Sequence, residues 1–220
     1  IREQGVGVVC FGVMAGTVAM ASSASALGYM RENRSRTVGF TGSQSPIGVM
    51  RTDGRENLVA AIEIAAARDK EGRPRVPEVG LYFQNRLFRA NRTTKYSSEE
   101  LNAFRSENYP ALADVGVSIH YNKQYIIRPE NPQAELRIST MLDTGVSIVK
   151  IFPGMTENLF RCMLSAEGLR GIVLETYGAG NAPTSRWFLD ALADAISRGV
   201  LIMNVTQCQS GSVEMDIYET

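Results

Sequence analysis

The segment "GIVLETYGAGNAPTSRWFLDALADAISRGVLIMNV", residues 171–205, constrains the fold more than any other part of this chain. A short apolar run leads through a glycine-containing loop into a helix of period 3.6, and a second apolar run follows. Phe188, Ala191, Leu192, Ala195 and Ile196 fall on one helical face, and Gly199 stands where a helix stops. "VLIMNV" then reads as a buried strand. Two strands joined through a helix run parallel, with a right-handed crossover, so this part of the chain is α/β.

The same alternation recurs upstream. "VGFTGSQSP" and "EVGLYFQN" read as strand followed by loop. "NLVAAIEIAAARDK" reads as a helix whose apolar stripe is Leu58, Ala61, Ile62, Ala65 and Ala66, with Asp53 and Glu56 spaced as a capping box. Ser97 and Glu100 have the same spacing ahead of a short helix in "SSEELNAF". "SIHYNKQYIIRP" alternates around "NK" like a hairpin exposed on one side. "RPENPQAELRIST" has two prolines, mixed charges and no period, and is the linker candidate. The expected organisation is an amino-terminal domain over 1–130, a linker over 131–144 and a carboxyl-terminal domain over 145–220.

With 44% hydrophobic residues, the 220-residue chain can bury a substantial core. Its 23 basic and 23 acidic side chains cancel, which argues against nucleic acid or an anionic membrane as partner. Cys10, Cys162 and Cys208 are far apart and lack metal-site spacing, so no metal is expected and a reducing compartment fits. "GVMAGTVAMASSASALGYM", residues 12–30, reads in isolation either as the apolar part of a secretion signal or as a strand running into a helix.

In a parallel α/β sheet the ligand crevice lies at the carboxyl ends of the strands. The loops "AGTVAM", "TGSQSP", "NRTTK" and "YGAGN" are therefore where chemistry is sought. "GAGN" is either an anion cradle or a plain turn. "NRLFRANRTTK" gathers Arg86, Arg89, Arg92 and Lys95, which as a group reads as a solvated basic loop. A lysine turned inward would differ, because a hydroxyl nucleophile needs a nearby base, and Thr17, Ser43, Thr93 and Thr94 are the hydroxyls within its reach. His120, the single histidine, leaves little scope for a Ser-His-Asp triad and reads as a surface residue.

These loops, in this order, resemble the asparaginase family in its cytosolic, type I branch. "SASALGYMREN" is similar to the family's "TASALSFMLEN", and "TGSQSPIGVMRTDGRENLVAA" to "TGSQ.P" followed by "DG.ENL..A". "PEVGLYFQNRLFRANRTTK", "ETYGAGNAP" and "RGVLIMNVTQCQSGSV" each resemble family blocks, so the likeness runs from about residue 7 to the last residue. It turns residues 12–30 away from a secretion signal and towards a strand, a site loop and a helix.

What the resemblance implies is an asparaginase-like α/β fold, a larger amino-terminal domain followed by a smaller parallel α/β domain, both incomplete in this sequence. It implies cytoplasmic hydrolysis of L-asparagine to L-aspartate and ammonia, with no metal or cofactor, by dimers or tetramers when complete. The family's nucleophilic threonine sits in a "TGGTI" block that does not occur here. Its second site takes Thr and Asp from "HGTDTM" and Lys from "NRTTK"; by position these are Thr17, Val18 and Lys95, with Ala19 at the following threonine. Val18, at a substrate-binding position, can accept no hydrogen bond, so activity is expected to be impaired. Thr94 and Cys208 match an allosteric asparagine pocket of some bacterial members, but Glu175 stands at its arginine position, and that regulation is not expected. A non-catalytic protein or fragment of this fold, acting through binding or assembly, is the alternative. An amidotransferase subunit working beside RNA is a more distant one.

Overall fold

In Val79–Phe83, "VGLYF", every residue is buried, as expected of a central strand covered on both faces. A computed structural model describes residues 8–11, 17–33, 35–131 and 134–214, with the side chains of 8–11 and Val18 outside the description. The chain forms two compact units, Ile1–Met141 and Leu142–Thr220.

The first unit runs β1 (Val8–Phe11), α1 (Val18–Met30), β2 (Arg31–Glu32), β3 (Val38–Thr41), α2 (Gly54–Ala66), β4 (Val79–Phe83), β5 (Arg86–Arg89), β6 (Thr94–Lys95), β7 (Phe104–Arg105), β8 (Ala113–Val115), β9 (Ile119–Tyr121) and β10 (Arg137–Ile138). Six of these strands form one sheet in the order β1-β3-β4-β5-β8-β9. β1, β3 and β4 are parallel, and the pairs from β4 to β9 are antiparallel. Alternate residues of β4 and β5 serve opposite layers: Leu81, Phe83 and Phe88 join Met20 and Ala21 of α1, while Tyr82 and Leu87 join Ala60, Ala61 and Ile64 of α2.

Several expected details resolve differently. The buried stripe of α2 is Asn57, Ala60, Ala61, Ile64 and Ala65 rather than the apolar set centred on Leu58 and Ile62, and Ile62 faces out. Asn57 turns the helix: its amide donates to Gly42 O and Asp53 Oδ2, and its Oδ1 accepts from Gln84 N. The Asp53 capping bond does not form. Ser97 Oγ accepts from Glu99 N and Glu100 N, yet no helix follows it. The hairpin joins β8 to β9 and turns at Gly116–Ser118, while the "NK" lies beyond it and leads into a 3₁₀ turn, Lys123–Tyr125. His120 is exposed on β9. The expected linker carries β10, which pairs with β2.

The second unit runs β11 (Val146–Lys150), α3 (Glu157–Leu164), β12 (Gly171–Thr176), α4 (Arg186–Ser197) and β13 (Leu201–Thr206), a parallel sheet in that sequential order. Both helices pack on one face, where the Phe160 and Phe188 rings stack at 4.5 Å among Val149, Ile172, Leu174 and Ala195. Sequential strands joined by crossovers of a single hand place their helices together in this way. Among the described residues of this unit no helix covers the other face, and Leu201 and Met203 of the strand expected to be buried are 78% and 65% exposed. Gly199, at φ +87°, ends α4 as expected: Gly199 N reaches Ile196 O and Val200 N reaches Ala195 O. The "GAGN" loop closes as a turn, with Asn181 N on Tyr177 O, and the next helix begins only at Arg186.

A buried ion pair fastens the antiparallel half of the first sheet. Arg89 Nε donates to Glu78 Oε2 at 2.6 Å and Nη2 to Oε1 at 3.1 Å, while Glu78 Oε1 also accepts from Ile127 N. Arg89 further donates to Tyr125 O and lies 4.2 Å from the Tyr109 ring centroid. Burial opposes the Arg89 charge, but the Glu78 carboxylate outweighs it and holds the guanidinium above its usual pKa. Removing one partner of such a pair strands the other charge, so Arg89→Ala should cost about 3–5 kcal/mol in urea unfolding. The double variant Glu78→Leu/Arg89→Met should lose less than that single change; an equal or larger loss would count against this account.

Candidate active site

Thr17 and Gln44 lie in the connections that leave the carboxyl ends of the adjacent parallel strands β1 and β3. Thr17 precedes the first turn of α1 and is buried, and its hydroxyl makes no capping bond. It donates instead to Gln44 Oε1 at 2.9 Å. Lys95, on β6, donates from Nζ to Thr17 Oγ1 and to Gln44 Oε1, the latter at 3.3 Å. Residues 78 positions apart in sequence are therefore in direct contact.

The strand pair holding Lys95 is short, with Lys95 opposite Phe104. Phe104 is buried against Phe83, ring centroids 4.9 Å apart, and the Arg105 guanidinium lies 3.5 Å from the Tyr96 ring centroid. These contacts anchor the backbone on either side of the lysine.

Gln44 is held at both ends. Its side-chain Nε2 donates to Ser98 O at 3.1 Å and Glu100 O at 3.0 Å. Its backbone N donates to the buried Asp53 carboxylate, 3.1 Å from each oxygen, and Ser45 N joins at 3.2 Å. Asn57 completes the set through Asp53 Oδ2, and Thr52 Oγ1 donates to Ser45 O. The missing cap at Asp53 and the missing helix after Ser97 share this cause. Asp53 leaves the helix end because its carboxylate binds the "TGSQ" loop, and the carbonyls of Ser98 and Glu100 accept from Gln44 where no helix forms.

Of the hydroxyls proposed from sequence, Thr17 alone is hydrogen-bonded to Lys95 among the described residues. Thr93 Oγ1 is committed to Arg89 O, and Thr94, on the same strand as Lys95, is exposed. The basic cluster divides: Arg86 is exposed and pairs with Asp114 at 3.7 Å, Arg89 is buried on Glu78, Arg92 is exposed and Lys95 joins Thr17. Val18 opens α1, with its side chain outside the described residues, as is the loop 12–16 before Thr17. Glu175 pairs with Lys150 at 3.6 Å, and Cys162 and Cys208 are free thiols at the surface. Among the described residues no group of His, Cys, Asp and Glu offers a metal site. Sequence reading missed Gln44 and took Asp53 only for a helix cap; both stand in the quoted "TGSQ" and "DG.EN" blocks, but nothing in those blocks shows which polar side chain turns inward.

As arranged, the Thr17 proton points to the Gln44 carbonyl and Lys95 acts as a donor to the Thr17 oxygen. An ammonium can only donate, whereas a neutral amine can accept, so a proton moves from threonine to lysine only when the amine is neutral.

Two family models divide the chain between them: "Asparaginase, N-terminal" matches residues 2–127, and "Glutaminase/Asparaginase C-terminal domain" matches 145–220. L-asparaginase 1 of Escherichia coli K12 is 38% identical over 210 residues, 96% of this chain and 60% of that protein. The human 60 kDa lysophospholipase is 40% identical over 206 residues, 94% of this chain and 35% of that protein. The crystal structure of L-asparaginase I from Vibrio cholerae superposes with a TM-score of 0.86 at 34% identity, over 97% of this chain and 62% of that one. The chain thus spans between about one third and three fifths of these relatives' lengths.

Asp53 carries the loop, so removing its carboxylate should release it. Asp53→Ala leaves the amides of Gln44 and Ser45 without acceptors, and hydrogen bonds to charged groups contribute about 1.5–3 kcal/mol. Their hydrogen exchange should accelerate by at least about tenfold, with Asp53→Asn intermediate. Unchanged exchange in Asp53→Ala would refute the assignment.

Proposed function

The chain belongs to the asparaginase family, and we propose that it serves the hydrolysis of L-asparagine to L-aspartate and ammonia, with Thr17 and Lys95 as the proton-transfer pair. The observation that carries this reading is the contact of Lys95 Nζ with Thr17 Oγ1, assembled from a loop after one parallel strand and a distant two-residue strand. A buried hydroxyl is held beside an amine, and that combination is what general acid–base work on an amide needs.

The reaction has two halves. A threonine oxygen adds to the amide carbon as its proton passes to the relay, the carbonyl π pair moves onto oxygen, and the tetrahedral species collapses by breaking the C–N bond as the relay delivers that proton to the departing nitrogen, which leaves as ammonia. Water then attacks the ester carbon and returns the threonine hydroxyl. The attacking threonine of the family belongs to a "TGGTI" block, which this sequence does not contain. Thr17 and Lys95 are assigned the proton relay, and Val18 leaves the neighbouring substrate-binding position without a carboxylate. Low turnover is the consequence. The substrate partner is L-asparagine, the compartment is the cytoplasm, and the complete protein assembles as a dimer or tetramer, all by likeness to the family.

Val18 also favours the second reading, a protein of this fold that acts through binding or assembly without turnover. The two readings separate in an ammonia-release assay on L-asparagine. In a protein that carries the family's "TGGTI" threonine ahead of this sequence, the first expects slow release that falls at least about a hundredfold in Lys95→Ala, the scale of a lost general acid or base, and rises in Val18→Asp. Release no higher than in Lys95→Ala, unchanged by Val18→Asp, would establish the second.

A further inference from the structure

We infer that Gln44 is the residue that positions the Thr17–Lys95 pair, its carboxamide oxygen serving as the shared acceptor for both. The inference takes its purpose from the amidohydrolase reading, but its physical content stands on the hydrogen bonds alone.

The Gln44 side chain has four hydrogen-bonding valences, two donor and two acceptor. Each is used. Oε1 accepts from Thr17 Oγ1 and from Lys95 Nζ, and Nε2 donates to the carbonyls of Ser98 and Glu100. Exchanging the amide's oxygen and nitrogen would set a donor against Lys95 Nζ and an acceptor against the carbonyls of both Ser98 and Glu100, and only the Thr17 hydroxyl could adapt by accepting, so the orientation is determined. The backbone of the same residue is fixed by Asp53. The acceptor oxygen of this fully bonded amide is shared by a hydroxyl and an ammonium.

The contrast with Arg89 shows what the amide does and does not supply. Arg89 is compensated by the full negative charge of Glu78. Among the described residues no carboxylate lies within ion-pair distance of Lys95 Nζ, whose acceptors are the oxygens of Thr17 and Gln44. A neutral carbonyl can orient an ammonium and hold the hydroxyl rotor, but it can take neither proton away. Gln44 is therefore a positioning residue. It fixes where the lysine nitrogen and the threonine oxygen stand, and it also joins them to the segment at 98–100.

The joining role and the positioning role make different predictions for two substitutions. Gln44→Met keeps the length and removes every hydrogen bond. Gln44→Glu keeps an acceptor oxygen towards Thr17 and Lys95 but turns a second oxygen on the carbonyls of Ser98 and Glu100. The readout is the acetylation rate of each lysine in the full chain by sulfo-N-hydroxysuccinimide acetate, followed by peptide mass spectrometry, with the exposed Lys70 and Lys123 as internal standards for reagent dose and circular dichroism as the control for global unfolding. The positioning role expects slow labelling of Lys95 in the wild type, acceleration of about fivefold in Gln44→Met, the size of effect that losing one hydrogen bond produces, and wild-type or slower labelling in Gln44→Glu. Equal acceleration in both variants, or none in Gln44→Met, would overturn it. A chain that releases no ammonia from asparagine would fail the amidohydrolase reading and leave this result as informative as before.

Discussion

One buried carboxylate organises the amino-terminal unit. Asp53 binds the amides of Gln44 and Ser45 and the side chain of Asn57, and Asn57 binds Gly42 O and receives Gln84 N. The loop after β3 and the first turn of α2 thereby become one hydrogen-bonded body. Backbone N–H groups at a charged acceptor make the stronger class of hydrogen bond, and in a buried setting each unmade bond carries a full desolvation cost. The fixed Gln44 side chain depends on that body, and through Gln44 so does the meeting of Thr17 with Lys95.

The α/β class and the parallel strands β3, β4, β12 and β13 were legible because hydrophobic periodicity reports which backbone runs are covered, while the short strands β2, β6, β7 and β10 carry no such pattern. The same signal is blind to a polar residue placed inward. Asn57 occupies the buried stripe of α2 to serve the loop, and the helix turns accordingly, leaving Ile62 outside. Capping boxes at Asp53 and Ser97 fail for a related reason. Local spacing describes only what a side chain can reach nearby, and here a distant partner competes for the same groups. The Asp53 carboxylate goes to Gln44 and Ser45, and the carbonyls after Ser97 go to Gln44.

The second face of the carboxyl-terminal sheet marks a different limit. "VLIMNV" carries a near-continuous apolar run, which ordinarily means cover on both sides. Both helices sit on one side, and Leu201 and Met203 are exposed. The run specifies the strand, while the placement of the helices follows from strand order and crossover hand, which no local pattern encodes. Of the candidate site, family likeness named Thr17 and Lys95, whose side chains meet, and no spacing rule connects them across the chain. Gln44 stayed invisible because nothing in a loop sequence distinguishes a fully bonded amide from a solvated one.

The cations of "NRLFRANRTTK" show how burial and charge compensation sort residues that look alike in sequence. β5 is buried on both faces except at its first residue, so Arg89 is enclosed while Arg86 stays at the surface. Burying a cation requires an anion with good geometry, and Glu78 provides it bidentately, leaving Arg89 saturated and structural. Lys95 is compensated by dipoles instead, and an ammonium has three N–H donors of which two are engaged with protein among the described residues. The two cations are therefore held by different means: Arg89 by a full opposite charge that saturates it, and Lys95 by two neutral oxygens that orient its ammonium without neutralising it.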